Sequence, residues 1–584
     1  MLAVKSVLIA NRGEIAVRVI RAANDLELRT IAIYSELDRD AVHVDLADEA
    51  WNVGPAPSAE SYLNIARILE IARESEADAV HPGYGFLAEN AAFARAVEEA
   101  GLIWVGPSAD AIATMGDKIA SRVAAAGAGV SAVPGTTDPV VDVSEVQAFA
   151  EEHGFPIAIK AAHGGGGKGL KVVRKAEDLD AAFEGAAREA EAWFANPEVY
   201  VERYLDHPRH IEAQIILDTH GNGVFVGERD CSLQRRHQKL VEETPAPGFT
   251  DEQRAELERS ALAVARAAGY VNAGTVEFLM DTNGDLFFLE MNTRIQVEHT
   301  VTEEATGLDL VTEQLRVAAG EELSFNGAES RGHAIEFRIN AEDPAGGFLP
   351  TPGELSTYRE PAGPGIRVDS GVRQGARISQ YYDNLIAKLI VKGRDREEAV
   401  RRSKRALTEF AIAGVETTIP AHLRILDNED FNAGNVHTRL VEDEMDFSDV
   451  GKGPSPAVPE DEELQERSIT VEVGGRRFEV KYWSQVIAST GSGQRPAPRR
   501  KAPKLGKQQP AGTEEGLITA PMQGTIVKVH HSAGDSVREG EPVCVLEAMK
   551  MENEIKAPTD GEIVDLRVQP GDTVTAGAVL MIVR

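Results

Sequence analysis

The sequence contains only two cysteines, Cys231 and Cys544, among 584 residues. They lie far apart and without the spacing of metal ligands, which excludes a disulfide framework and a cysteine-based zinc cluster. Such sparse use of cysteine is typical of a reducing compartment. Since 42% of the residues are hydrophobic, there is ample apolar material for several packed cores.

Long apolar segments are also absent. No stretch approaches the roughly 18 uninterrupted apolar residues that a membrane-spanning helix needs. The apolar run 7–10 is too short for the core of an export signal, and Arg12 and Glu14 follow it at once. We therefore predict a cytoplasmic protein that does not bind membranes.

Basic residues are in deficit. The sequence has 61 lysines and arginines against 94 aspartates and glutamates, which gives a formal net charge of −33. A field of this sign repels nucleic-acid phosphates and anionic lipid. The composition therefore disfavours nucleic acid as a general partner, and any bound anion must be held by a local group of cations.

Residues 1–115 alternate short strand patterns with helical ones. The pattern predicts a strand at KSVLIAN, an amphipathic helix at EIAVRVIRAANDL and a second strand at RTIAIYS. This series continues to LIWVGP and favours a parallel sheet with helices on both faces. From 116 to 330 the pattern changes to strand pairs around a glycine run, and residues 331–447 are predicted to be α+β.

Residues 448–515 differ in character from the chain before them. The segment SITVEVGGRRFEVKYW alternates apolar and polar residues around Gly474 and Gly475, which predicts a β-hairpin over 468–483. Because one hairpin alone is marginal in water, we expect it to dock on another surface. The following segment, STGSGQRPAPRRKAPKLGKQQPAG, predicts a flexible tether, and a nucleic-acid-binding arm is the alternative.

The segment 516–584 contains an internal repeat. A shift of 37 residues places Ala520 on Ala557 and Gly534 on Gly571. Each copy reads as short alternating strands with turn glycines between them. The repeat therefore predicts two similar half-sheets packed face to face.

Lys550 lies between the two copies, in the ten-residue connector EAMKMENEIK, with Met549 and Met551 beside it. The natural connector of two such halves is an exposed hairpin. A lysine presented at a turn of this kind suits a carrier domain that offers an amine for attachment of a prosthetic group. An ordinary solvated lysine is the alternative.

The glycine run HGGGGKG has a formal G-x-G-x-x-G spacing from Gly164 to Gly169. A dinucleotide motif must open a helix, but the strand pattern LKVV follows here. A Walker A loop also fails, since Gly169 stands where Ser or Thr is needed. We predict a flap between two strands whose N–H groups close over phosphates, with Lys118 and Lys160 as nearby cations. An ordinary hairpin loop is the alternative.

Two carboxylates lie on apolar strands, Glu277 in TVEF and Glu290 in FFLEMN. A buried carboxylate is costly unless it is paired or bound to a metal. Glu290 and Asn292 are two residues apart and therefore share one strand face. These oxygen ligands favour a Mg²⁺ site for nucleotide phosphates, and a buried Glu–Arg ion pair is the alternative.

Two further segments combine charges at high density. In EMNTRIQVEH the alternating residues Arg294, Gln296 and Glu298 follow the two metal-ligand candidates, which indicates a site for an oxyanion plus a metal. The segment ERDCSLQRRHQK contains the densest basic cluster in the ordered part of the chain and predicts a local anionic ligand, phosphate or carbonate. Its members are Arg235, Arg236, His237 and Lys239. A solvated strand is the alternative.

In order and spacing, the chain resembles the biotin carboxylase members of the ATP-grasp enzymes through HPGYGFLAEN, MGDK, KAAHGGGGKG, ERDCSLQRRHQK, EMNTRIQVEH and FRINAEDP. The motif EAMKM resembles the biotin attachment site of carrier domains. The match covers 1–447 and 516–584 without a carboxyltransferase domain, as in the alpha subunits of bacterial acyl-CoA carboxylases. Ala88 and Leu170 depart from the usual Ser and Met at positions that do not bear on the chemistry.

The resemblance implies a multidomain α/β and α+β fold followed by an all-β domain of two pseudo-symmetric half-sheets. The implied parts are a Rossmann-like N-terminal domain (1–115), an ATP-grasp domain (116–330) with a glycine-rich lid (about 134–204), an α+β domain (331–447), a linker (448–515) and a biotinyl domain (516–584).

The resemblance also implies roles for individual residues. The implied nucleotide contacts are Lys118, Lys160, Glu202, His210, Gln234 and His237, with Gly164, Gly165, Gly166 and Gly167 as the phosphate lid. The implied ligands of Mg²⁺ or Mn²⁺ are Glu277, Glu290 and Asn292. The implied bicarbonate pocket is Lys239, Arg294, Gln296 and Val297. The implied catalytic residues are Glu298 as general base, Arg338 beside the biotin ureido group, Lys239 and Arg294, and biotin is expected on Lys550.

On this resemblance, the chain uses ATP and bicarbonate to carboxylate its own biotin and delivers carboxybiotin to a carboxyltransferase beta subunit. That partner would carboxylate an acyl-CoA such as acetyl-CoA or propionyl-CoA. A biotin protein ligase would attach the biotin, and we expect homo- and hetero-oligomers. The alternatives are one component of a two-subunit pyruvate carboxylase, an ATP-grasp ligase with a lipoylated or unmodified carrier domain, and a non-catalytic scaffold that senses ATP.

Overall fold

A computed structural model describes residues 4–136, 139–161, 171–194, 198–451, 465–473, 476–484, 517–521, 524–548, 551–574 and 577–584. The chain forms two compact units, Met1–Pro454 and Ser455–Arg584. Within the described ranges, no helix combines the length and the apolar character needed to cross a membrane.

The N-terminal part of the first unit is a parallel sheet covered by helices. Its elements are β1 (Ser6–Ile9), α1 (Gly13–Asp25), β2 (Arg29–Ser35), α2 (Val42–Leu46), β3 (Glu49–Gly54), α3 (Ile65–Glu74), β4 (Ala79–His81), α4 (Ala91–Glu99), β5 (Ile103–Trp104) and α5 (Ala109–Gly116). The strands run parallel in the order β3-β2-β1-β4-β5. Successive strand residues point to opposite faces, so Ile9 packs with Ile20 in one core and Leu8 packs with Ile68 in the other. The predicted βαβ arrangement is confirmed.

A small antiparallel sheet follows, in the order β7-β6-β8. The elements of this part are α6 (Lys118–Gly127), α7 (Val143–His153), β6 (Ile157–Ala161), β7 (Lys171–Val173), α8 (Leu179–Phe194) and β8 (Val199–Arg203). Its own core includes Ile157, Val173 and Val201, packed against Phe149 of α7 and Ala186 of α8. The predicted position of the glycine run between two strands is confirmed, while Gly164, Gly165, Gly166 and Gly167 themselves lie outside the described residues.

An eight-stranded antiparallel sheet forms the centre of the first unit, in the order β13-β12-β9-β10-β11-β14-β21-β19. Its first elements are β9 (Arg209–Leu217), β10 (Gly223–Arg235), β11 (Gln238–Thr244), α9 (Asp251–Ala267), β12 (Asn272–Met280), β13 (Leu286–Asn292), α10 (His299–Thr306), α11 (Leu310–Ala318) and β14 (His333–Asn340). Because β11 pairs with β14, with Thr244 opposite Ala334, the sheet continues without a break past residue 330.

The remaining elements of the first unit are short strands and three helices around β21. They are β15 (Glu342–Asp343), β16 (Leu349–Pro350), β17 (Gly353–Glu354), β18 (Thr357–Arg359), β19 (Ile366–Ser370), β20 (Arg377–Ile378), β21 (Leu385–Gly393), α12 (Arg396–Glu409), β22 (Ala411–Ala413), α13 (Ile419–Asp427) and α14 (Glu429–Ala433). The side chain of Asp395 caps α12 by accepting a hydrogen bond from the Glu398 amide at 2.8 Å. The predicted α+β character of this part is confirmed.

The second unit is all-β. Its strands are β23 (Gln465–Val473), β24 (Arg476–Ser484), β25 (Leu517–Thr519), β26 (Gly524–Val529), β27 (Ser536–Val537), β28 (Pro542–Ala548), β29 (Met551–Lys556), β30 (Gly561–Leu566), β31 (Thr573–Val574) and β32 (Val579–Val583). The antiparallel pair β23–β24 confirms the predicted hairpin, although the turn glycines Gly474 and Gly475 lie outside the described residues.

Strands β25 to β32 form two four-stranded sheets, β25-β32-β30-β27 and β29-β28-β26-β31. The two copies of the repeat exchange equivalent hydrogen bonds. The Gly534 amide donates to the Ile563 carbonyl at 2.8 Å, and the Gly571 amide donates to the Ile526 carbonyl at 2.7 Å. A shift of 37 residues relates these two bonds, so the predicted pair of similar half-sheets is confirmed.

Candidate active site

A cluster of buried charges lies where four strands of the large sheet and the start of α10 converge. Glu212 on β9 and Glu277 on β12 are cross-strand neighbours. Lys239 comes from β11 and Arg338 from β14, and Glu298 is the residue that precedes α10. The strands are apolar enough to be buried on both faces, so these charges can only be accommodated by one another or by ligands.

Lys239 is the centre of this cluster. Its Nζ lies 2.8 Å from Glu298 Oε1 and 3.1 Å from Glu277 Oε1, and it also forms an ion pair with Glu212. Burial alone would lower the pKa of Lys239, but the three carboxylates raise it well above its ordinary value. Lys239 is therefore a fixed positive charge surrounded by acids.

The two carboxylate oxygens of Glu298 are held by different cations. Oε1 contacts Lys239, and Oε2 accepts a hydrogen bond from Arg338 Nη2 at 2.8 Å. Burial would raise the pKa of Glu298, but Lys239, Arg338 and Arg229 together lower it. Glu298 is therefore ionised at neutral pH, and a carboxylate in this state can accept a proton.

Arg338 is itself anchored on both sides. Its Nε donates to Glu242 Oε1 at 2.6 Å, and its backbone carbonyl accepts hydrogen bonds from Thr418 Oγ1 and His422 Nε2, each at 2.8 Å. Burial raises the pKa of Glu242 to about 8 even though Arg338 lowers it. The guanidinium is thus fixed between two acids, which suits the stabilisation of negative charge on a bound group.

Glu277 and Glu290 are two of the predicted ligands of a divalent cation. They are directly opposite each other on β12 and β13. Asn292 Nδ2 donates to Glu277 Oε1 at 2.7 Å, and His210 Nε2 lies 2.8 Å from Glu277 Oε2. Glu277 is therefore paired with Lys239 and His210, not with an arginine as in the alternative considered above. Two adjacent carboxylates and an amide oxygen are the donor set that Mg²⁺ or Mn²⁺ prefers.

Arg294 is connected to this donor set through Asn292. Its Nη2 donates to Asn292 Oδ1 at 2.8 Å, and its Nε donates to Glu89 Oε2 at 3.0 Å. Gln296 Nε2 donates to Glu277 Oε1 at 2.8 Å. Five of the predicted metal and bicarbonate residues thus form one continuous network, namely Lys239, Glu277, Asn292, Arg294 and Gln296.

The predicted nucleotide contacts lie in three places. His210 belongs to the carboxylate cluster, where burial would lower its pKa but Glu277 raises it. Lys160 on β6 and Glu202 on β8 form a separate ion pair. Gln234 is buried opposite Lys239 in the β10–β11 pair, and His237 occupies the turn between these strands. The side chain of Lys118 and all of Lys550 lie outside the described residues.

The residues of the predicted basic cluster around Lys239 do not share one set of contacts. Arg235 lies over the ring of Phe348, 4.7 Å from its centroid, and Arg236 has a positive φ of 48° in the turn. Lys239 alone among the four basic residues has ion pairs to the carboxylates described above. Arg235 pairs with Gln238, and Gln234 pairs with Lys239, so Arg235 and Lys239 lie on opposite faces of the β10–β11 pair.

Three residues of the buried charge cluster were not identified from the sequence. Arg229 is fully buried and donates to Glu212, to Gln214 Oε1 at 2.7 Å and to Gln296 Oε1. Glu212 and Glu242 are also buried in strands. The signal that identified Glu277, a carboxylate inside an apolar strand, is present at Glu212 in RHIEAQIIL and would have found it.

Four family models match the chain. In order, they are the biotin carboxylase N-terminal domain (3–112), the carbamoyl-phosphate synthase L chain ATP binding domain (117–326), the biotin carboxylase C-terminal domain (336–443) and the biotin-requiring enzyme domain (516–583). Together these matches cover most of the described first unit and the repeat-containing part of the second.

Individual relatives agree with these models. The chain is 50% identical over 586 residues to the biotin-dependent acyl-coenzyme A carboxylase alpha3 subunit of Mycobacterium leprae, which covers 99% of this chain and 98% of that protein. It is 50% identical over 464 residues to one subunit of the pyruvate carboxylase of Methanothermobacter thermautotrophicus, covering 79% of this chain and 94% of the relative.

Solved structures also match the first unit. The biotin carboxylase domain dimer of Hydrogenobacter thermophilus 2-oxoglutarate carboxylase, in complex with MgADP, ADP and bicarbonate, matches with a TM-score of 0.69 at 47% identity. The match covers 76% of this chain and 98% of that chain. The predicted fold class, the ligase class and the cofactors, namely covalent biotin and ATP with Mg²⁺ or Mn²⁺, are confirmed. The chain belongs to the biotin carboxylase family of ATP-grasp ligases and has the domain composition of the biotin-dependent acyl-CoA carboxylase alpha subunits.

Proposed function

We propose that this biotin carboxylase acts on biotin attached to Lys550 of its own carrier domain, and that a separate carboxyltransferase subunit passes the carboxyl group to an acyl-CoA. The first step is supported by the two contacts that hold the Glu298 carboxylate. One oxygen contacts Lys239 and the other contacts Arg338, so an ionised base is fixed in a buried site. Acetyl-CoA and propionyl-CoA are the acceptors that we favour.

The first chemical step joins two anions, bicarbonate and the terminal phosphate of ATP. Lys239 and Arg294 would neutralise bicarbonate, with Gln296 and Val297 completing the pocket, since the first three already share contacts with the Glu277 network. Glu298 would then remove the bicarbonate proton, and the resulting carbonate oxygen would attack the γ-phosphorus, so that the bond to the β-phosphate breaks and ADP and carboxyphosphate form. Preorganised cations in a dry site lower the cost of bringing the two anions together.

The nucleotide would be held by a metal ion and by direct contacts. Glu277, Glu290 and Asn292 would hold Mg²⁺ or Mn²⁺, which neutralises charge on the phosphates when it is bound. The proposed nucleotide contacts are Lys118, Lys160, Glu202, His210, Gln234 and His237, with Gly164, Gly165, Gly166 and Gly167 closing over the phosphates.

The carrier part of the chain would deliver the second reactant. Carboxyphosphate would break down to CO₂ and phosphate, and biotin on Lys550 would supply a ureido nitrogen that gives its proton to the phosphate, bonds to the CO₂ and carries the carboxyl group between active sites. Arg338 would stabilise negative charge on the ureido oxygen, because its guanidinium is already fixed between Glu242 and Glu298. The tether in 448–515 would give the biotinyl domain (516–584) the necessary reach.

The choice of acceptor is supported by the full-length similarity to the alpha3 subunit of an acyl-CoA carboxylase, which includes the carrier segment. One component of a two-subunit pyruvate carboxylase is the second candidate, because the pyruvate carboxylase relative is equally identical over a shorter part of the chain. We further propose a cytoplasmic location and a dimeric or larger assembly, with the domain limits given above. The proposed partners are a biotin protein ligase and a carboxyltransferase beta subunit.

Two assays test this proposal. The purified chain should hydrolyse ATP faster when bicarbonate and free biotin are both supplied, and the product should be carboxylated biotin. After purification with its native carboxyltransferase, the complex should carboxylate acetyl-CoA or propionyl-CoA. Transfer to pyruvate instead would support the second candidate, and ATP hydrolysis independent of bicarbonate would contradict the first step.

A further inference from the structure

Lys388 on β21 is fully buried, and none of the roles assigned above involves it. Its side chain is 0% exposed, and its Nζ donates to the backbone carbonyl of Val297 at 2.8 Å. Val297 directly precedes Glu298, the base of the proposed reaction. A buried ammonium group is costly unless polar and charged partners hold it, so its placement on one carbonyl needs an explanation.

The charges that face Lys388 come from other parts of the first unit. Glu14 Oε1 on α1 lies 3.3 Å from its Nζ and also accepts a hydrogen bond from the hydroxyl of Tyr84. Burial raises the pKa of Glu14 to about 7 and that of Glu336 on β14 to about 7, and in both cases the Lys388 charge acts in the opposite direction. Lys388 is therefore held by Glu14 of α1 and by the Val297 carbonyl, and its charge also interacts with Glu336 on β14 and with its cross-strand neighbour Asp369 on β19.

The same face of β21 contacts α10 at three places. Alternate residues of a strand share one face, and here they are Lys388, Ile390 and Lys392. Lys388 contacts the carbonyl that precedes the helix, Ile390 packs with Val301 within it, and Lys392 Nζ donates to the Glu304 carbonyl near its end at 2.6 Å. The strand thus holds the helix at its start, its middle and its end.

The contact at the start of α10 acts directly on the residue that carries the base. The peptide bond between Val297 and Glu298 is trans, and in a trans peptide the C=O and N–H groups point in opposite directions. A cation on the Val297 oxygen therefore directs the Glu298 amide away from β21 and fixes the backbone from which the Glu298 side chain extends.

We propose that Lys388 is a positioning residue for the carboxylation reaction, which holds the Val297 carbonyl and thereby fixes both Glu298 and the Val297 side of the bicarbonate pocket. The inference rests on the proposed function and extends it to a residue outside the pocket. A displacement of the base by about 1 Å is enough to reduce turnover by about 10²-fold. Lys392 makes a similar bond to the same helix, but at the end remote from Glu298.

The test compares Lys388→Met with Lys392→Met in the full chain. For Lys388→Met, the kcat of bicarbonate-dependent ATP hydrolysis with free biotin should fall by about 10- to 100-fold. The Kd for MgATP, measured by isothermal titration calorimetry, should remain that of the wild type. Lys392→Met should retain kcat. A role in folding alone would lower the thermal stability of both variants without separating kcat from MgATP binding.

Wild-type kcat in Lys388→Met would overturn the inference, and so would an equal loss of kcat in both variants. If Lys388→Met does not fold, Lys388→Gln takes its place, because it keeps a polar donor in the cavity but is too short to reach Val297. The same loss of kcat is then expected, and wild-type kcat is the contrary result. If the wild type shows no bicarbonate-dependent turnover, the proposed function itself fails, and the inference fails with it.

Discussion

Glu277 and Glu290 are direct cross-strand partners on β12 and β13, so two carboxylates face each other in the candidate active site. Glu290 is exposed, and partial desolvation and the charge of Glu277 both raise its pKa. Burial would also raise the pKa of Glu277, but Lys239 and His210 hold it well below its ordinary value. The pair therefore combines a firmly ionised carboxylate with a second one whose ionised form a nearby cation would favour.

Glu290→Gln should have opposite effects on stability and activity. Without metal, removal of one of two facing charges should increase the free energy of unfolding by about 0.2–1 kcal/mol. With metal, the Mg²⁺ concentration for half-maximal ATP hydrolysis should rise at least about tenfold, because a proposed ligand is lost. Thermal denaturation in a chelator and a Mg²⁺ titration of activity measure the two effects.

The exposed Glu256 of α9 provides the control for this change. Glu256→Gln removes one negative charge at a distance from the proposed ligands and should alter neither measurement. An unchanged Mg²⁺ requirement in Glu290→Gln would show that Glu290 does not bind the metal.

Glu298→Gln should reduce kcat for biotin carboxylation by about 10²- to 10⁴-fold, the usual contribution of a general base. The amide keeps the size of the side chain but cannot accept the bicarbonate proton. MgATP should still bind, since Glu277, Glu290 and Asn292 are unchanged. Carboxylation assays with free biotin and calorimetric titration of MgATP measure the two properties separately.

Glu243→Gln is the matched control for that variant. Glu243 is also a buried glutamate of an ion pair, held by His333 Nε2 at 2.7 Å and Arg396 Nε at 2.7 Å. Its cations are different from those of Glu298, so its loss should lower stability and leave kcat near that of the wild type. Glu298 is not the base if its glutamine variant retains wild-type turnover.

The sequence was sufficient to predict the secondary-structure elements and to identify several residues of the buried charge cluster. The apolar periods placed the parallel strands correctly, and the cost of burying a carboxylate identified Glu277 before any contact was known. The same cost applies to Glu212, which was overlooked because the strand RHIEAQIIL has no glycine run or basic cluster beside it. Buried charge within an apolar strand is thus the signal that is most useful for this fold.

Contacts across the large sheet could not be predicted from local pattern. Arg229 and Gln296 are 67 residues apart and meet only because β10 and the loop before α10 pack together. Arg235 and Lys239 are close in sequence, but the register of the β10–β11 pair places them on opposite faces. The register of the long-range pairs decides which charges meet, and no single segment specifies it.

Stability should fall as pH rises from about 6.5 to 8. Three buried carboxyls have pKa values raised by burial: about 7 for Glu14, about 8 for Glu242 and about 7 for Glu336. Such an acid holds its proton more tightly in the folded state, so stability is lost between its unfolded pKa, about 4.3, and its folded value. Burial lowers the pKa of three histidines to about 4: His43, His81 and His422.

These histidines act in the opposite direction, but only up to their unfolded pKa of about 6.5. The two groups offset each other below that pH. Above it the carboxyls lower the stability, and His210, whose pKa Glu277 raises, acts in the same direction. Thermal unfolding of the full chain between pH 6.5 and 8 measures the decline. Glu242→Gln should make it shallower, and an identical slope in the variant and the wild type would contradict the assignment.

Lys550→Arg should abolish capture of the chain by streptavidin after expression with a biotin protein ligase, because arginine cannot form the amide bond to biotin. Carboxylation of free biotin should be unaffected, while transfer to acyl-CoA in the complex with the carboxyltransferase should stop. Lys556→Arg changes the exposed lysine at the end of β29 and is the control that should retain all three properties. Acyl-CoA carboxylation by Lys550→Arg would refute the assignment of the attachment site.

Deletion of residues 468–483 should weaken assembly with the carboxyltransferase subunit. The hairpin strands β23 and β24 pair only with each other among the described strands, and a two-stranded sheet is marginally stable by itself. The alternating apolar residues in the sequence of the hairpin therefore favour a docking surface. Deletion of 490–505 removes the same number of residues from the tether and should leave co-purification intact, since the hairpin remains. Equal recovery of the partner with both deletion variants would exclude the hairpin as the contact.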